Sequence, residues 1–308
     1  MKYDLNLPIL LIGYNRADLF QKRLEEIKKL PLKKLYIALD STNNGPNEKI
    51  IKAIDCLVNS KQPFETNVEI QSRNLGLTLH VTGAISKVLE EETSVLVIED
   101  DISLSVESYL AFQQGQSLIK EKKHSGLVSG FSPISRPNLI GTNRWRRTKY
   151  FAVWGWIATR LTWEVYRYDL GGIDIRGSLS DSESWNTLTD FQKKVWISRF
   201  ERVKLTPLHT WDTQMQFWSF VHEFNNYVPL FRLVENEGFS DPRAVHTKSS
   251  KPWWYVGSES DFKIVPDKVM GQFSTSILNF IDSATYIGDS KVSHLWAHKV
   301  KKKLQRSS

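Results

Sequence analysis

The feature that most constrains this chain is the alternation, through its first third, of short apolar runs with segments whose apolar residues recur at helical spacing. "LPILLIGYN" and "KKLYIALDST" read as strands, "NVEIQSR" as a third and "SVLVIEDD" as a fourth. Between them, "RADLFQKRLEEIKKL" sets Leu19, Phe20, Leu24, Ile27 and Leu30 on one helical face, while "NEKIIKAIDCLVN" and "GLTLHVTGAISKVLEEE" repeat that period. Runs such as Val95, Leu96, Val97 and Ile98 lack polar alternation, as expected of strands covered on both faces. Strand, helix, strand in this order predicts an α/β unit with a mostly parallel central sheet flanked by helices.

In such sheets ligands bind beyond the carboxyl ends of the strands. Chemistry-bearing residues collect there: Tyr14, Asn15 and Arg16 after the first strand, Asp40 after the second, Arg73 and Asn74 after the third, and Glu99, Asp100 and Asp101 after the fourth. A carboxylate buried past a hydrophobic strand is costly unless paired or bound to a cation. The acid triplet therefore belongs at a strand end or cleft edge. Its oxygens suit Mg²⁺ or Mn²⁺, and the same triplet is also compatible with capping and solvation of a strand end. Asp40, in "DSTNNGP", has an ordinary turn role open to it, Asn15 a helix-capping role, and Arg73 that of an exposed surface cation.

The fingerprints of two nucleotide-binding classes are missing. "GYNRAD" stands where a dinucleotide-binding Gly-x-Gly-x-x-Gly would follow the first strand, and the chain contains no Gly-x-x-x-x-Gly-Lys-Ser/Thr. The single Cys56 excludes an intrachain disulfide framework and a four-thiolate zinc site, which fits cytoplasmic residence. The N-terminal apolar run is too short for a membrane span and reads as the first strand. The formal charge of +7 does not form a continuous stripe, so no nucleic-acid partner is expected; the basic residues gather at 144–149 and in "HKVKKKLQR". That C-terminal segment places Val292, Leu295, Trp296, Lys299 and Val300 near one helical face, consistent with packing on the body or with peripheral contact at an anionic membrane surface.

After residue 125 the pattern changes. "GLVSGFSPI" is strand-like, "GTNRWRRTKYFAVWGWIATR" is aromatic and basic, "TWDTQMQFWSFVHEF" opens a helix, and "YVPLFRLVENEGFSDPRAVHT" is a strand followed by a turn. "GGIDIRGSLSDSES" reads as an irregular surface connection and a candidate lid. Asp212, before a helix and beside Trp211 and His209, serves equally as a helix cap or a catalytic acid group. Trp154 and Trp156 can bracket a sugar, with Arg144, Arg146 and Arg147 meeting an anionic group; a hydrophobic core under a basic loop is the alternative.

"PILLIGYNR", "LYIALDST", "IQSRNLGL", "VLVIEDDIS", "YFAVWGWIATR", "TWDTQMQFW" and "NEGFSDPRAVHT", in that order from about residue 7 to 247, resemble the GT-A fold nucleotide-sugar glycosyltransferases, nearest to bacterial sugar transferases of the N-acetylglucosaminyltransferase I-like group. The resemblance implies a Rossmann-like GT-A domain with acceptor-side loops and a C-terminal helical extension. Residues 1–125 would form the nucleotide-sugar half, 126–250 the acceptor and catalytic half, and 251–308 the extension. It implies Asp101 and Glu99 at a Mn²⁺ or Mg²⁺ ion, with His246 at the metal or the diphosphate. Tyr14, Arg16, Asp40, Arg73 and Asp100 would lie around the nucleotide. Asp212 would be the base of an inverting reaction, and Trp154, Gly155, Trp156, Trp211, Arg144 and Arg147 would build the sugar and acceptor pocket. The implied partners are a UDP-sugar donor and a bacterial glycan or lipid-linked glycan acceptor, met in the cytoplasm or at the inner face of the membrane. A sugar-phosphate nucleotidyltransferase and a non-catalytic carbohydrate- or nucleotide-binding protein are the alternatives.

Overall fold

A computed structural model describes residues 7–120, 126–133, 145–239, 241–243, 282–283 and 285–287. Arg144, His246 and the basic segment after residue 287 lie outside the described residues. The first half follows the sequence pattern: β1 (Ile9–Gly13), α1 (Ala17–Ile27), β2 (Lys34–Leu39), α2 (Glu48–Val58), β3 (Glu65–Ile70), α3 (Leu77–Glu91) and β4 (Ser94–Glu99). Strands β3, β2, β1 and β4 pair side by side and in parallel. Their strict two-residue alternation sorts the core. Ile9, Leu11, Leu35, Ile37, Leu96 and Ile98 pack with Phe20, Leu24 and Ile54 of α1 and α2. Leu10, Tyr36, Val95 and Val97 point to the other face, against Val81, Ile85 and Val88 of α3.

The second half departs from the expected mostly parallel sheet. It adds α4 (Val106–Lys120), β5 (Val128–Ser129), β6 (Trp145–Thr148), β7 (Trp156–Thr159), α5 (Arg160–Glu164), α6 (Ile175–Leu179), α7 (Glu183–Asn186), α8 (Asp190–Leu205), α9 (Asp212–Val221) and β8 (Asn226–Pro229). The eight strands are ordered β3-β2-β1-β4-β7-β5-β8-β6. β7 runs antiparallel to both β4 and β5, and β6 antiparallel to β8, so the sheet is mixed. The fold is α/β and broadly Rossmann-like, with helices on both faces. Strand direction is not encoded in apolar runs, which look alike whichever way a strand enters. Antiparallel entry of β7 has a structural consequence: its first residues lie beside the last residues of β4. Val97 pairs with Trp156, so the chain just before Trp156 reaches the acidic strand end.

The expected surface lid over 171–184 is instead packed structure. Asp174 and Ser182 cap α6 and α7 through bonds to the Arg176 and Trp185 amides, and Ile175, Leu179 and Trp185 are buried with Phe200, Phe217 and Phe220. Short capped helices carry too few turns to show a period, so their apolar residues read as isolated. Among the described residues no helix is long and apolar enough to cross a membrane. Leu179 is wholly buried, so Leu179→Ala is expected to destabilise the fold by about 2–5 kcal/mol in chemical denaturation. A change within about 0.5 kcal/mol, the scale of a surface substitution, would return this segment to the status of a loop.

Candidate functional site

The parallel order β3-β2-β1-β4 brings the carboxyl ends of these strands to one rim, and there they open into a cleft of about 920 Å³. Tyr14, Arg16, Asp40, Asn74 and the acids Glu99, Asp100 and Asp101 line it on the strand side. Trp154, Trp211 and Asp212 line it from the second half, with Arg199, Arg202 and His209 beyond them. Trp156, Gly155, Arg73 and Arg147 do not reach it.

The acid triplet is organised by Arg16. β1 is flanked by β4, so the loop leaving β1 delivers the guanidinium across the end of β4. Nη1 donates to Asp101 Oδ2 at 2.9 Å and Nη2 donates to Asp100 Oδ1. Both aspartates are buried. One guanidinium does not neutralise three carboxyl groups. Burial, then the charges of Asp101 and Asp100, push the Glu99 carboxyl up to about 8, with Arg16 opposing and Asp212 adding to the rise. Burial likewise raises Asp100 to about 6 against the pull of Arg16. Burial disfavours the charged form, and a like charge adds to the same effect.

The segment after β8 closes over this group. Glu237 N–H donates to the Asp101 carbonyl at 2.8 Å, and Ser103 N–H to the Glu235 carbonyl at 2.9 Å. Glu237 is held by Lys22 at 2.7 Å and by the buried Arg23 at 3.0 Å. Gly238 rests so closely on the acids that a Cβ there would fall 2.3 Å from Asp101 Oδ2 and 3.0 Å from Arg16 Nη1. Close approach of backbone to the site is what requires glycine at this position.

The oxygen-only donor set suits a hard divalent cation. Among the described residues, no three acidic, histidine or cysteine side chains converge as a ready-made metal nest. Two observations fit a cation there all the same. Asp100 Oδ2 is buried with no hydrogen-bond partner among the described residues, and burial beside Asp101 and Asp100 pushes the Glu99 carboxyl up to about 8. The arrangement fits an ion held by one or two carboxylates together with oxygens of a ligand.

Asp212 stands across the cleft. Trp211 stacks on Trp156 at 5.4 Å and 24°, the Tyr166 hydroxyl donates to the Trp211 carbonyl at 3.1 Å, and the Gln216 side chain accepts from Phe151 N–H at 2.6 Å and donates to the Lys149 carbonyl at 3.0 Å. These contacts fix the start of α9. Asp212 Oδ1 accepts from Thr213 N–H at 2.7 Å and from the Thr210 hydroxyl; Oδ2 accepts no hydrogen bond among the described residues. Asp212 is the first residue of α9, after a Trp211 cap position that makes no side-chain cap bond; one oxygen is held by Thr210 and Thr213 and the other is left for the cleft.

Several expected residues have other occupations. Asp40 is buried, its oxygens accepting from the amides of Ser41 at 2.9 Å, Leu75 at 3.0 Å and Gly76 at 3.1 Å, which ties the end of β2 to the turn before α3. Arg73 is exposed. Asn15 accepts from Asn47, the cap of α2, and does not cap α1. Trp154 and Trp156, two residues apart, would share a face in a regular strand. Gly155, at a φ of +60°, breaks that alternation. Trp154 therefore faces the cleft, edge-on to Phe131 at 4.5 Å and Phe239 at 5.5 Å, while Trp156 is fully buried. Arg146 forms a two-bonded pair with Asp282 at 2.8 and 2.5 Å, and Arg147 donates to Asn225.

Sequence reading missed His80, Arg199, Arg202 and Gly238. His80, on α3 beneath the strand ends, is buried with both ring nitrogens unpartnered among the described residues; burial lowers its pKa, with the Asp40 charge opposing. Arg199 and Arg202 sit on α8, whose start is marked by a capping box from Thr189 and Gln192. That "TDFQ" signal was available in the sequence.

No family model matches the chain, and no curated protein does. Solved structures overlap it in part, three of them as follows. The mannosyltransferase PcManGT from Pyrobaculum calidifontis, solved in complex with GDP-Man and Mn²⁺, is 12% identical over 56% of this chain and 51% of that one, with a TM-score of 0.38. HddC from Yersinia pseudotuberculosis is 14% identical over 52% of this chain and 80% of its own, at 0.32. A piece of S. aureus TarS spanning 1–349 is 10% identical over 72% and 57%, at 0.36. The chain thus spans about half the length of the first of these. Overlaps of this extent carry no inference about function.

The raised Glu99 pKa fixes the sign of one pH effect. Between its ordinary 4.5 and its folded value of about 8, the folded state holds a proton that the unfolded state has released. The contribution to stability is therefore full below about pH 4.5 and lost as the pH rises through about 8. In metal-free buffer, Tm is expected to fall as the pH goes from about 6 to about 8, and Glu99→Gln, neutral throughout, is expected to flatten that fall. Parallel pH profiles for the two proteins would show that Glu99 titrates normally.

Proposed function

We propose that this chain is a metal-dependent inverting glycosyltransferase of GT-A type, which transfers a sugar from a nucleotide-sugar donor to a hydroxyl of a bacterial polysaccharide or glycoconjugate. UDP is the nucleotide to which the sequence resemblance points. The observation that carries the reading is the pairing, across one cleft, of an all-oxygen acid group at the end of β4 with a carboxylate on α9 that keeps one oxygen free. The nucleotide-sugar half would be residues 1–125 and the acceptor half 126–250.

In this reading Tyr14 and Asn74, joined at 3.2 Å, border the nucleotide, and Asp40 acts indirectly by holding the turn at 75–76. Asp101, with Glu99 or Asp100, would hold Mg²⁺ or Mn²⁺ together with the donor diphosphate. The ion would neutralise charge that a purely acidic rim would repel. Asp212 Oδ2 accepts the proton of the acceptor hydroxyl. That oxygen forms its bond to the anomeric carbon as the bond from this carbon to the diphosphate oxygen breaks, and the configuration inverts. Trp154 offers its exposed face to the C–H surface of a sugar. A double displacement would need a nucleophilic carboxylate beside the sugar. Asp100 and Asp101 are engaged by Arg16 and the acid group is assigned here to the ion, so direct displacement is favoured.

Purified protein incubated with a panel of nucleotide sugars, glycan acceptors and Mn²⁺ is expected to form a glycoside and release a nucleoside diphosphate. Asp212→Asn should leave donor binding intact and lower kcat by roughly 100-fold or more. Equal turnover of the two proteins at saturating substrates would remove Asp212 from the role of base. Release of pyrophosphate instead would point to nucleotidyl transfer.

A further inference from the structure

The cleft is electrically two-ended, and the proposed donor chemistry uses only one end. Its strand side carries Glu99, Asp100 and Asp101. Its far side is a wall of α8, from which Arg199 and Arg202, three positions apart on one helical face, line the same cleft. Helix α8 is held in place by the adjoining stripe, where Trp196, Phe200 and Val203 are buried. Neither arginine forms an ion pair among the described residues. Arg199 is half-buried, with its guanidinium 4.7 Å over the Trp196 ring and Nη1 donating to the Tyr286 carbonyl at 2.5 Å. Its remaining N–H groups are uncommitted. Arg202 is exposed and makes no side-chain hydrogen bond among the described residues. Burial and the charge of Arg202 work against the charged form of Arg199, while Asp212 and Tyr150 favour it.

Among the described residues, other arginines of the acceptor half and of the cleft have partners of their own. Arg146 is neutralised by Asp282, and Arg147 points to Asn225 away from the cleft. Arg16 is taken up by the acids and Arg243 by Asp18 and Asp241. Among the described residues, Arg199 and Arg202 are thus a cationic pair in a concave site without an ion-pair partner, the carboxylate of Asp212 being assigned to another task. Paired guanidinium groups are suited to bidentate capture of phosphate or carboxylate oxygens.

We propose that Arg199 and Arg202 form an anion subsite that recognises a phosphate or carboxylate group of the acceptor, on the side of Asp212 remote from the acid triplet. The assignment of this anion to the acceptor rests on the glycosyltransferase reading; the existence of the subsite does not. The donor diphosphate, placed at the acidic end, requires a cation there. An anion at the α8 end requires none.

The test uses the full chain and three small probes measured by calorimetry: sn-glycerol 3-phosphate, glucuronate and neutral glycerol, alongside UDP with Mn²⁺. Wild type is expected to bind one of the two anions, weakly and with salt sensitivity, and not glycerol; the tighter anion identifies the group. Arg202→Gln, an exposed change that leaves the core intact, should weaken that binding by about ten-fold or more, with UDP–Mn²⁺ affinity changed by less than about two-fold. Arg202→Lys should fall between the two, since it keeps charge but not the fork. Failure of both anions to bind while UDP–Mn²⁺ binds would overturn the subsite and leave the glycosyltransferase reading standing. An equal loss of UDP–Mn²⁺ affinity in Arg202→Gln would assign the pair to the donor and overturn the acceptor assignment. Anion binding lost in Arg202→Gln, in a protein that never binds UDP–Mn²⁺, would confirm the subsite and remove the function on which its occupant was named.

Discussion

The contact of Arg16 with Asp100 and Asp101 is the interaction on which the site depends. It joins the loop after β1 to the end of β4, neighbouring strands of the parallel half, and it is the direct positive partner of two buried carboxylates. A buried ion pair adds little net stability, because desolvation offsets the attraction, but breaking one leaves an uncompensated buried charge and costs about 3–5 kcal/mol. Here the surplus is negative: one guanidinium faces three acids. Burial, then the neighbouring acids, push the Glu99 carboxyl up with Arg16 opposing, while Gly238 and the 235–237 segment pack against the group. A site balanced in this way is ready to take up further positive charge.

The mixed sheet then determines what faces the acids. A parallel β7 would carry the chain before it to the opposite edge of the sheet. Because β7 is antiparallel to β4, its preceding residues, with Trp154, return to the acidic rim, and Gly155 turns Trp156 away into the core. Trp156 in turn supports Trp211, and so the placement of Asp212. Packed aromatic rings therefore link β7, the strand paired with the acid-bearing β4, to the helix that bears the opposing carboxylate.

Much of the first half was legible in the sequence, since fully buried strands and amphipathic helices leave uninterrupted patterns and strand ends locate the rim. Asp101 could be placed on that basis, whereas Asp212 and Trp154 were pointed to by the family resemblance. Other features depend on contacts that no local pattern contains. Trp154 and Trp156 look equivalent until a left-handed Gly155 separates them. Asp40 and Arg16 are both charged residues after strands, yet Asp40 is absorbed by backbone amides while Arg16 serves the acids. Arg146 looked like a free cation because its partner, Asp282, is remote in sequence. Helix α8 escaped notice because Lys and Arg interrupt its aromatic stripe, and with it went the basic wall of the cleft.

The central claim is that the acids at the end of β4 take a divalent cation jointly with a nucleoside diphosphate. It is tested most directly by titrating Mn²⁺ into the protein, followed by electron paramagnetic resonance, with and without UDP, in wild type and in Asp101→Asn. The account predicts weak Mn²⁺ binding by the protein alone, one tightly held ion per chain when UDP is present, and loss of that ion in Asp101→Asn. UDP binding that is indifferent to Mn²⁺, or a UDP-dependent ion retained equally in Asp101→Asn, would contradict it.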